Sequence, residues 1–313
     1  MATILVTDGV PVEGFSVLSD HELIIPAPQK SFTREEMLRH IARADAVVAF
    51  GTVSREYIEA AQQLKIIANY GAGYDRVDIR AAAERGIPVT NIPETVTRDT
   101  AELAIGLMLA VSRRIGELNL RMRQEQPESL FGPGLNMGSS LHGRTLGIVG
   151  CGRIGSRVAQ IAKVLGMRVV GYSRRGADPA VAEPVSLEML LEMSDVISLH
   201  CPLTDETRGL INRAAFARMK PGAMLINTAR GPVVELDALL EALDNGTLSG
   251  AGLDVFPEEP HVPAELIVRS NVICTPHMGT NTRQTRWEMS HACALQILDV
   301  LNGKRPSNIV NGL

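Results

Sequence analysis

The chain has 313 residues, a formal net charge of −4 at pH 7 and a sequence pI near 6.0. This length suffices for two domains with separate cores. Nucleic-acid binding is not expected, because the charge balance is acidic and no Lys/Arg block is present. The four cysteines form no CxxC pair, so neither a disulfide framework nor a metal site is expected.

Nothing near the start resembles an export signal. Met1 leads into the apolar residues 4–6 without a basic region. No apolar run approaches the roughly 20 residues of a membrane span. We therefore expect an unprocessed cytoplasmic protein without membrane segments.

The first ninety residues alternate short apolar runs with helical stretches, a pattern typical of βα repeats and a parallel sheet. The capping-box residues Thr33 and Glu36 predict the start of a helix that carries Met37, Leu38 and Ile41. The predicted strands lie at residues 4–6, 23–25, 46–50, 65–69 and 88–92.

After Asp99, an apolar stretch at 103–111 predicts a long helix, followed by a polar loop through Pro127, Pro133 and Gly134. We expect the chain to cross into a second domain in this region. A second alternating series then predicts six strands, which is typical of one doubly wound domain. They lie at residues 146–149, 168–172, 195–200, 223–227, 252–255 and 272–275.

A helical pattern at 283–301 predicts a return to the first domain. The predicted fold is α/β with two doubly wound parallel-sheet domains, a Rossmann nucleotide domain inserted into a flavodoxin-like substrate domain. The substrate-binding domain comprises residues 1–98 and 284–313, and the dinucleotide-binding domain comprises 99–283. Such an insertion leaves a cleft at the junction, where small-molecule sites tend to form.

A glycine turn at 150–155 follows the strand at 146–149 and opens a helix. Its glycines, Gly150, Gly152 and Gly155, match the GxGxxG pattern in the strand-turn-helix context that the pattern requires. Backbone N–H groups and the helix dipole would there face a pyrophosphate. The turn is therefore a candidate dinucleotide cradle.

The choice of nucleotide depends on the residues about 20 positions further on, where NAD-binding domains place an acidic residue for the ribose 2′-OH. This chain has Ser173, Arg174 and Arg175 instead. A hydroxyl and two guanidinium groups suit a 2′-phosphate, whereas a carboxylate would repel it. We therefore expect NADP(H) as the preferred cofactor, with NAD(H) also possible.

Three side chains with complementary chemistry follow successive predicted strands: Arg230, Glu259 and His277. Arg230 could hold a carboxylate bidentately and polarise an adjacent carbonyl. A carboxylate paired with His277 would stabilise the protonated imidazole that a general acid needs. Consecutive strand ends can bring Glu259 and His277 together, so these three residues are the candidate catalytic set.

The motifs at 150–155, 227–231, 253–260 and 275–279 together give a family resemblance. The chain resembles the D-isomer-specific 2-hydroxyacid dehydrogenases over essentially its full length. The matching Arg, Glu and His of that family are its catalytic set, which supports Arg230, Glu259 and His277. Within the family the chain looks most like the NADP-dependent glyoxylate/hydroxypyruvate reductase branch, so the resemblance implies reduction of a small 2-oxo acid to the D-2-hydroxy acid.

The resemblance also implies binding residues. The backbone N–H groups of Ala72 and Gly73 would receive the substrate carboxylate beside Arg230 and His277, forming a small anion nest. Family members are usually homodimers that associate through the nucleotide domain, and we expect the same here. The implied cofactor contacts are Thr100, Gly150, Gly152, Arg153, Ile154, Gly155, Ser173, Arg174, Arg175, Cys201, Pro202, Thr207, Thr228, Ala229, Asp254, His277 and Gly279.

Two alternatives stay open at the level of sequence. The first is an NADP-linked reductase of 2-ketogluconate or of aromatic 2-oxo acids, which differs in pocket shape. The second is a nucleotide-sensing corepressor-like binding protein, since such relatives can retain the whole catalytic set. The chain shows no low-complexity interaction segment, which favours the enzyme.

Overall fold

The computed structural model describes residues 1–174 and 176–313. The chain forms two compact units, named here the terminal unit (Met1–Val96 and Thr280–Leu313) and the central unit (Thr97–Gly279). The change from one to the other at residues 96/97 falls within a single helix, α4 (Pro93–Ser112). The predicted domain boundaries at 98/99 and 283/284 lie two and four residues from the observed changes.

The terminal unit contains a five-stranded parallel sheet with the order β2-β1-β3-β4-β5. This is the flavodoxin-like order 2-1-3-4-5. The strands are β1 (Thr3–Val6), β2 (Glu22–Ile24), β3 (Ala46–Ala49), β4 (Ile66–Asn69) and β5 (Val89–Thr90). Its helices are α1 (Arg34–Ile41), α2 (Arg55–Ala60), α3 (Ile79–Glu84), a 3₁₀ helix (Glu13–Leu18) and α11 (Arg283–Leu301).

The central strands of this sheet are mostly apolar because helices cover both faces. Side chains alternate between the faces, so Leu5 and Ile67 pack with α1 to α3. Their neighbours Ile4 and Ile66 contribute to a second cluster that includes residues of α11. The predicted capping box is confirmed, since the Thr33 side chain accepts from the backbone N–H of Glu36.

The central unit contains a seven-stranded parallel sheet with the order β12-β11-β10-β9-β6-β7-β8. Counted from β6, this is the Rossmann order 3-2-1-4-5-6 extended by one strand, and the order reverses between β6 and β9. The strands are β6 (Thr145–Val149), β7 (Arg168–Tyr172), β8 (Glu183–Pro184), β9 (Val196–Leu199), β10 (Ala223–Asn227), β11 (Leu248–Leu253) and β12 (Val272–Cys274).

Helices cover both faces of this sheet, and the predicted fold class is confirmed. Besides most of α4, the unit contains two 3₁₀ helices (Pro127–Leu130 and Gly231–Val233). Its α-helices are α5 (Ile115–Gln124), α6 (Arg153–Val164), α7 (Leu187–Met193), α8 (Arg213–Phe216), α9 (Leu236–Asp244) and α10 (Ala264–Ile267).

The structure differs from the predicted elements at β8 and α5, and it shows where the predicted long helix through 103–111 begins. The sheet has a seventh strand, β8, whose two exposed residues carry no apolar alternation that could predict it. Helix α4 begins at Pro93, well before the apolar stretch, and proline suits a first helical turn. Helix α5 lies within the segment between the apolar stretch and Pro127, and none of its residues is buried.

Candidate active site

The glycine turn joins β6 to α6 at the point where the strand order reverses. Gly150 has φ +101°, and a Cβ there would lie 2.5 Å from the backbone N of Cys201. A Cβ on Gly155 would lie 2.1 Å from the carbonyl oxygen of Gly150. Packing therefore requires both of these glycines.

The middle glycine faces open space instead. Gly152 is the N-cap of α6, it makes no side-chain cap bond, and a Cβ there would meet no atom within 4 Å. The first N–H groups of a helix have no intrahelical partner, and Arg153 and Ile154 occupy the first two positions of this one. Together with the dipole of the 12-residue α6, this space suits a pyrophosphate.

The residues predicted to select the nucleotide follow β7. Ser173 comes directly after the strand, and Arg175 lies outside the described residues. The guanidinium of Arg174 lies 3.2 Å from the carboxylate of Glu206, and both side chains are about 70% exposed, at 71% and 69%. Exposed pairs of this kind contribute only ~0–1 kcal/mol, so an incoming anion could readily replace Glu206.

The segment after β9 contains the next group of predicted contacts. The Thr207 hydroxyl donates to the carbonyl of Pro202 at 2.6 Å and accepts from the backbone N–H of Thr204 at 2.8 Å. Burial raises the pKa of the Cys201 thiol to about 11, so this thiol is protonated and unreactive near neutral pH. The Cys201 backbone lies against Gly150, which places this segment beside the glycine turn.

A histidine that the sequence analysis did not single out lies between Ser198 and Thr228. Nε2 of His200 is 2.8 Å from the Ser198 hydroxyl, and Nδ1 is 3.5 Å from the Thr228 hydroxyl. Burial lowers the pKa of His200 to about 3, so the ring is neutral at pH 7. Ser198 in β9 and His200 directly after it are two positions apart, a spacing that places both side chains on one side of an extended chain and was a usable signal.

Asp254, directly after β11, organises the turn that carries His277. Its carboxylate accepts from the Thr275 hydroxyl at 2.6 Å and from the backbone N–H groups of Met278 and Gly279 at 2.8 and 2.9 Å. Its carbonyl accepts from the backbone N–H of His277 at 2.9 Å. Burial raises the pKa of Asp254 above its ordinary value. Asp254 alone thus fixes four groups of the segment 275–279.

Three of the predicted cofactor contacts, Thr100, Asp254 and Gly279, lie close together in the central unit. A Cβ built on Gly279 would be 3.3 Å from a carboxylate oxygen of Asp254 and 3.4 Å from the hydroxyl of Thr100. All three residues are close to the turn of His277. The structure therefore groups a hydroxyl, a carboxylate and a bare backbone position at the carboxyl ends of β11 and β12.

His277 and Glu259 of the candidate catalytic set form a close pair. Nδ1 of His277 lies 2.7 Å from Oε2 of Glu259, and the other carboxylate oxygen accepts from the Phe256 N–H at 3.1 Å. The Glu259 side chain is 16% exposed and that of His277 is 44% exposed. The imidazole is thus held by a shielded carboxylate while its other edge reaches solvent.

Arg230 lies on the neighbouring loop, after β10. Its guanidinium donates to the carbonyl of Ala229 at 2.7 Å. The buried Asn227 side chain shapes the loop by donating to the Arg230 carbonyl and accepting from the Ala229 N–H, both at 3.0 Å. A Cβ on Gly231 would lie 2.0 Å from Phe256, so the loops of Arg230 and Glu259 pack against each other.

The terminal unit contains the predicted carboxylate-binding loop, which begins after β4. The Asn69 side chain donates to the carbonyls of Gly71 and Gly73, both at 3.0 Å, and Asn91 donates to the carbonyl of Ala72 at 2.9 Å. Three successive carbonyls are therefore held by amide side chains. Asn69, the last residue of β4, and Asn91, which follows β5, hold these carbonyls, and the sequence did not predict this role for either residue.

Residues 1–174 and 176–313 contain neither a candidate membrane span nor a candidate metal site. They contain no helix with the length and apolar character of a membrane span. They also contain no group of three or more His, Cys, Asp or Glu side chains that could hold a metal ion.

Known proteins resemble this chain throughout its length. The NAD binding domain of the D-isomer specific 2-hydroxyacid dehydrogenases matches residues 105–279. A glyoxylate reductase of Thermococcus litoralis is 42% identical over 318 aligned residues, which cover 98% of this chain and 96% of that protein.

Solved structures of other proteins are also similar to this chain over nearly its whole length. A protein of Thermus thermophilus is 40% identical with a TM-score of 0.90, covering 98% of this chain and 99% of its own. An NADPH-dependent glyoxylate/hydroxypyruvate reductase of Sinorhizobium meliloti, solved with NADP and malonate, is 30% identical with a TM-score of 0.88. That alignment covers 99% of this chain and 96% of the other.

The Rossmann sheet with its glycine cradle, together with these matches, defines an NAD(P)-dependent dehydrogenase. The chain belongs to the D-isomer specific 2-hydroxyacid dehydrogenase family, as the resemblance in its motifs indicated. Its cofactor is a pyridine nucleotide, and its reaction interconverts 2-oxo and 2-hydroxy acids.

Proposed function

We propose that the protein reduces a small 2-oxo acid of the glyoxylate/hydroxypyruvate type to the D-2-hydroxy acid with NADPH. The observation that carries this proposal is the 2.7 Å pair of His277 and Glu259 in the same unit as the glycine cradle. The names of similar proteins support it, since the Thermococcus litoralis relative is a glyoxylate reductase and the Sinorhizobium meliloti one is NADPH-dependent.

His277 is the proposed general acid. Its Nδ1–H donates to Glu259, so Nε2 is the nitrogen that can give a proton to the substrate carbonyl oxygen. The negative charge of Glu259 stabilises the imidazolium before transfer and keeps the ring in one orientation. The nicotinamide, when bound, supplies the hydride; the proton comes from His277, which solvent can reprotonate because its ring is partly exposed.

Arg230 and the loop of the terminal unit are the proposed carboxylate and carbonyl ligands. Arg230 can form two parallel hydrogen bonds to a carboxylate or polarise the adjacent carbonyl with the same planar group. The backbone N–H groups of Ala72 and Gly73 are proposed as further donors to the substrate carboxylate. The neighbouring carbonyls are fixed by Asn69 and Asn91, so those amides are held in one conformation.

The proposed NADPH preference rests on the residues after β7. Ser173 and Arg174 stand where an NAD-specific domain has its acidic residue, and Arg174 can exchange the exposed Glu206 for a 2′-phosphate. The remaining proposed cofactor contacts surround the glycine turn and the turn of Asp254. They are Thr100, Gly150, Gly152, Arg153, Ile154, Gly155, Cys201, Pro202, Thr207, Thr228, Ala229, Asp254, His277 and Gly279.

A homodimer formed through the central unit is also part of the proposal. Helix α5 and the segment after it expose several large apolar side chains, and exposed apolar surface of this kind is typical of an interface. They include Ile115, Leu120, Met122, Phe131, Leu135 and Met137. Sedimentation of the purified chain distinguishes a dimer from a monomer.

A panel of 2-oxo acids tests the proposed reaction. Each acid, including glyoxylate, hydroxypyruvate, 2-ketogluconate and phenylpyruvate, is mixed with enzyme and either NADPH or NADH, and loss of the reduced nucleotide is followed. We expect the highest kcat/KM for glyoxylate or hydroxypyruvate with NADPH, and a D-configured product where the carbon is chiral. Turnover confined to 2-ketogluconate or phenylpyruvate would contradict the substrate class, and turnover of none would contradict the reaction.

A further inference from the structure

A guanidinium group outside the site described above lies against two aromatic rings of the terminal unit. Cζ of Arg286 is 5.4 Å from the ring centroid of Phe50 and 5.8 Å from that of Tyr70. The two rings meet edge to face with their centroids 5.8 Å apart. Cation–π contacts of this kind hold an arginine in place while leaving its N–H donors available.

No acidic side chain of the described residues pairs with Arg286. Nε donates to the Asn281 side chain at 3.3 Å, which accounts for one of the five N–H donors. The first turn of α11 contains no acidic residue, so the helix N-terminus adds no compensating negative charge. Burial lowers the pKa of Arg286, in agreement with a charge that lacks an acidic neighbour. Such an arginine is suited to an acceptor that comes from outside the protein.

The position of Arg286 points to the substrate. Phe50 directly follows β3 and Tyr70 directly follows β4, so both stand at the carboxyl edge of the five-stranded sheet, where ligands of open α/β sheets bind. The Tyr70 hydroxyl donates to the carbonyl of Arg286 at 3.0 Å. Tyr70 is also the first residue of the loop of Ala72 and Gly73, whose N–H groups are proposed ligands of the substrate carboxylate.

We propose that Arg286 is a specificity-determining residue whose guanidinium binds a hydrogen-bond acceptor on the substrate carbon beyond the keto carbon. A 3-hydroxyl group, as in hydroxypyruvate, is such an acceptor. This inference rests on the proposed function. Phe50 and Tyr70 fix the guanidinium, and because glyoxylate has no carbon at that position, its reduction does not use Arg286.

Three acids, two variants of Arg286 and one control variant test the assignment. Hydroxypyruvate has the 3-hydroxyl, pyruvate replaces the hydroxymethyl group with methyl, and glyoxylate lacks the carbon. Wild type should prefer hydroxypyruvate to pyruvate in kcat/KM, and Arg286→Met should reduce this ratio about 10- to 100-fold, because a charged hydrogen bond is lost. The kcat/KM for glyoxylate should stay within about twofold of wild type, since that acid makes no such contact.

The matched control is Arg283→Met, which removes an exposed arginine one turn earlier on α11 and should leave all three values unchanged. Arg286→Lys keeps the charge but loses the planar fork, so its ratio should be intermediate. An equal loss for all three acids in Arg286→Met, or an unchanged ratio, would overturn the assignment.

One arm of the test needs no variant. If wild type reduces pyruvate as efficiently as hydroxypyruvate, Arg286 does not select for the 3-hydroxyl and the inference is wrong, while the proposed reductase function stands. If wild type reduces no 2-oxo acid, the proposed function fails and this inference fails with it.

Discussion

Nδ1 of His277 lies 2.7 Å from Oε2 of Glu259, although the two residues are 18 positions apart in the chain. This contact assigns the proton of the neutral ring to Nδ1 and leaves Nε2 for the substrate. The backbone of His277 has φ +48°, a left-handed conformation that is uncommon for a residue other than glycine. Asp254 holds the residues on either side, and this arrangement aims the ring at Glu259.

The charge of Glu259 can be tested separately from its shape. Glu259→Gln keeps the size and one acceptor oxygen but removes the charge that stabilises the imidazolium, so kcat should fall about 100-fold. The kcat of each variant is measured from steady-state turnover of glyoxylate with saturating NADPH. Glu258→Gln, which changes the exposed neighbouring carboxylate, is the control and should keep wild-type turnover. Equal kcat values for the two variants would contradict the proposed pairing.

Cofactor preference is expected to depend on Arg174. Arg174→Asp replaces a cation at the proposed 2′-phosphate site with an anion, so the ratio of kcat/KM for NADPH to that for NADH should fall at least about tenfold. Arg213→Asp changes another exposed arginine of the central unit that pairs with a glutamate, and should leave the ratio unchanged. A wild-type enzyme that prefers NADH would contradict the proposed role of Ser173 and Arg174.

The open space at Gly152 predicts a variant that folds but binds the nucleotide poorly. A Cβ meets no protein atom there, so Gly152→Ala should unfold at nearly the wild-type temperature. The added methyl group would occupy the proposed pyrophosphate site, and the KM for NADPH should rise about tenfold. Gly106→Ala, in helix α4 and equally unobstructed, is the control. A KM for NADPH that matches the control would exclude the pyrophosphate from this position.

His200 predicts a specific dependence of stability on pH. Its pKa is about 3 in the folded chain, whereas an unfolded histidine has a pKa near 6.5. As the pH falls below about 6.5, the unfolded state binds the proton first, so the folded state loses stability down to about pH 3. At pH 5 this loss should be about 2 kcal/mol relative to pH 7.

Urea unfolding at pH 7 and pH 5 measures this loss. His200→Gln lacks the titrating group, so its free energy of unfolding should fall less than that of wild type between the two pH values. His142→Gln replaces an exposed histidine of the same unit and should retain the wild-type difference. Parallel behaviour of wild type and His200→Gln would show that His200 is not the group responsible.

Much of the fold was predictable because burial leaves a pattern in the sequence. Strands β7 and β10 and helix α11 have the predicted bounds, since each carries apolar residues with the period of its structure. Strand β8 and helix α5 left no such pattern, because neither buries an apolar side chain. Their formation depends on contacts with neighbouring elements, and the local sequence carries no pattern that predicts such contacts.

The candidate site was predictable to the extent that it follows strand ends. Arg230, Glu259 and His277 were proposed because parallel strands end at a common edge. The contacts that position them were not predictable. They depend on side-chain geometry between distant segments, as in the hydrogen bond that the Met278 N–H donates to Asp254, or on a particular conformation, as in the left-handed backbone of His277.

The proton-transfer role of His277 is tested most directly by one comparison. Glyoxylate turnover with NADPH is measured for wild type and His277→Ala, and the Kd for NADPH is measured for both proteins by nucleotide fluorescence. We expect kcat to fall about 1,000-fold while the Kd for NADPH stays within about twofold, because the variant loses the acid but keeps the cradle. A His277→Ala enzyme with wild-type kcat would contradict the proposed mechanism.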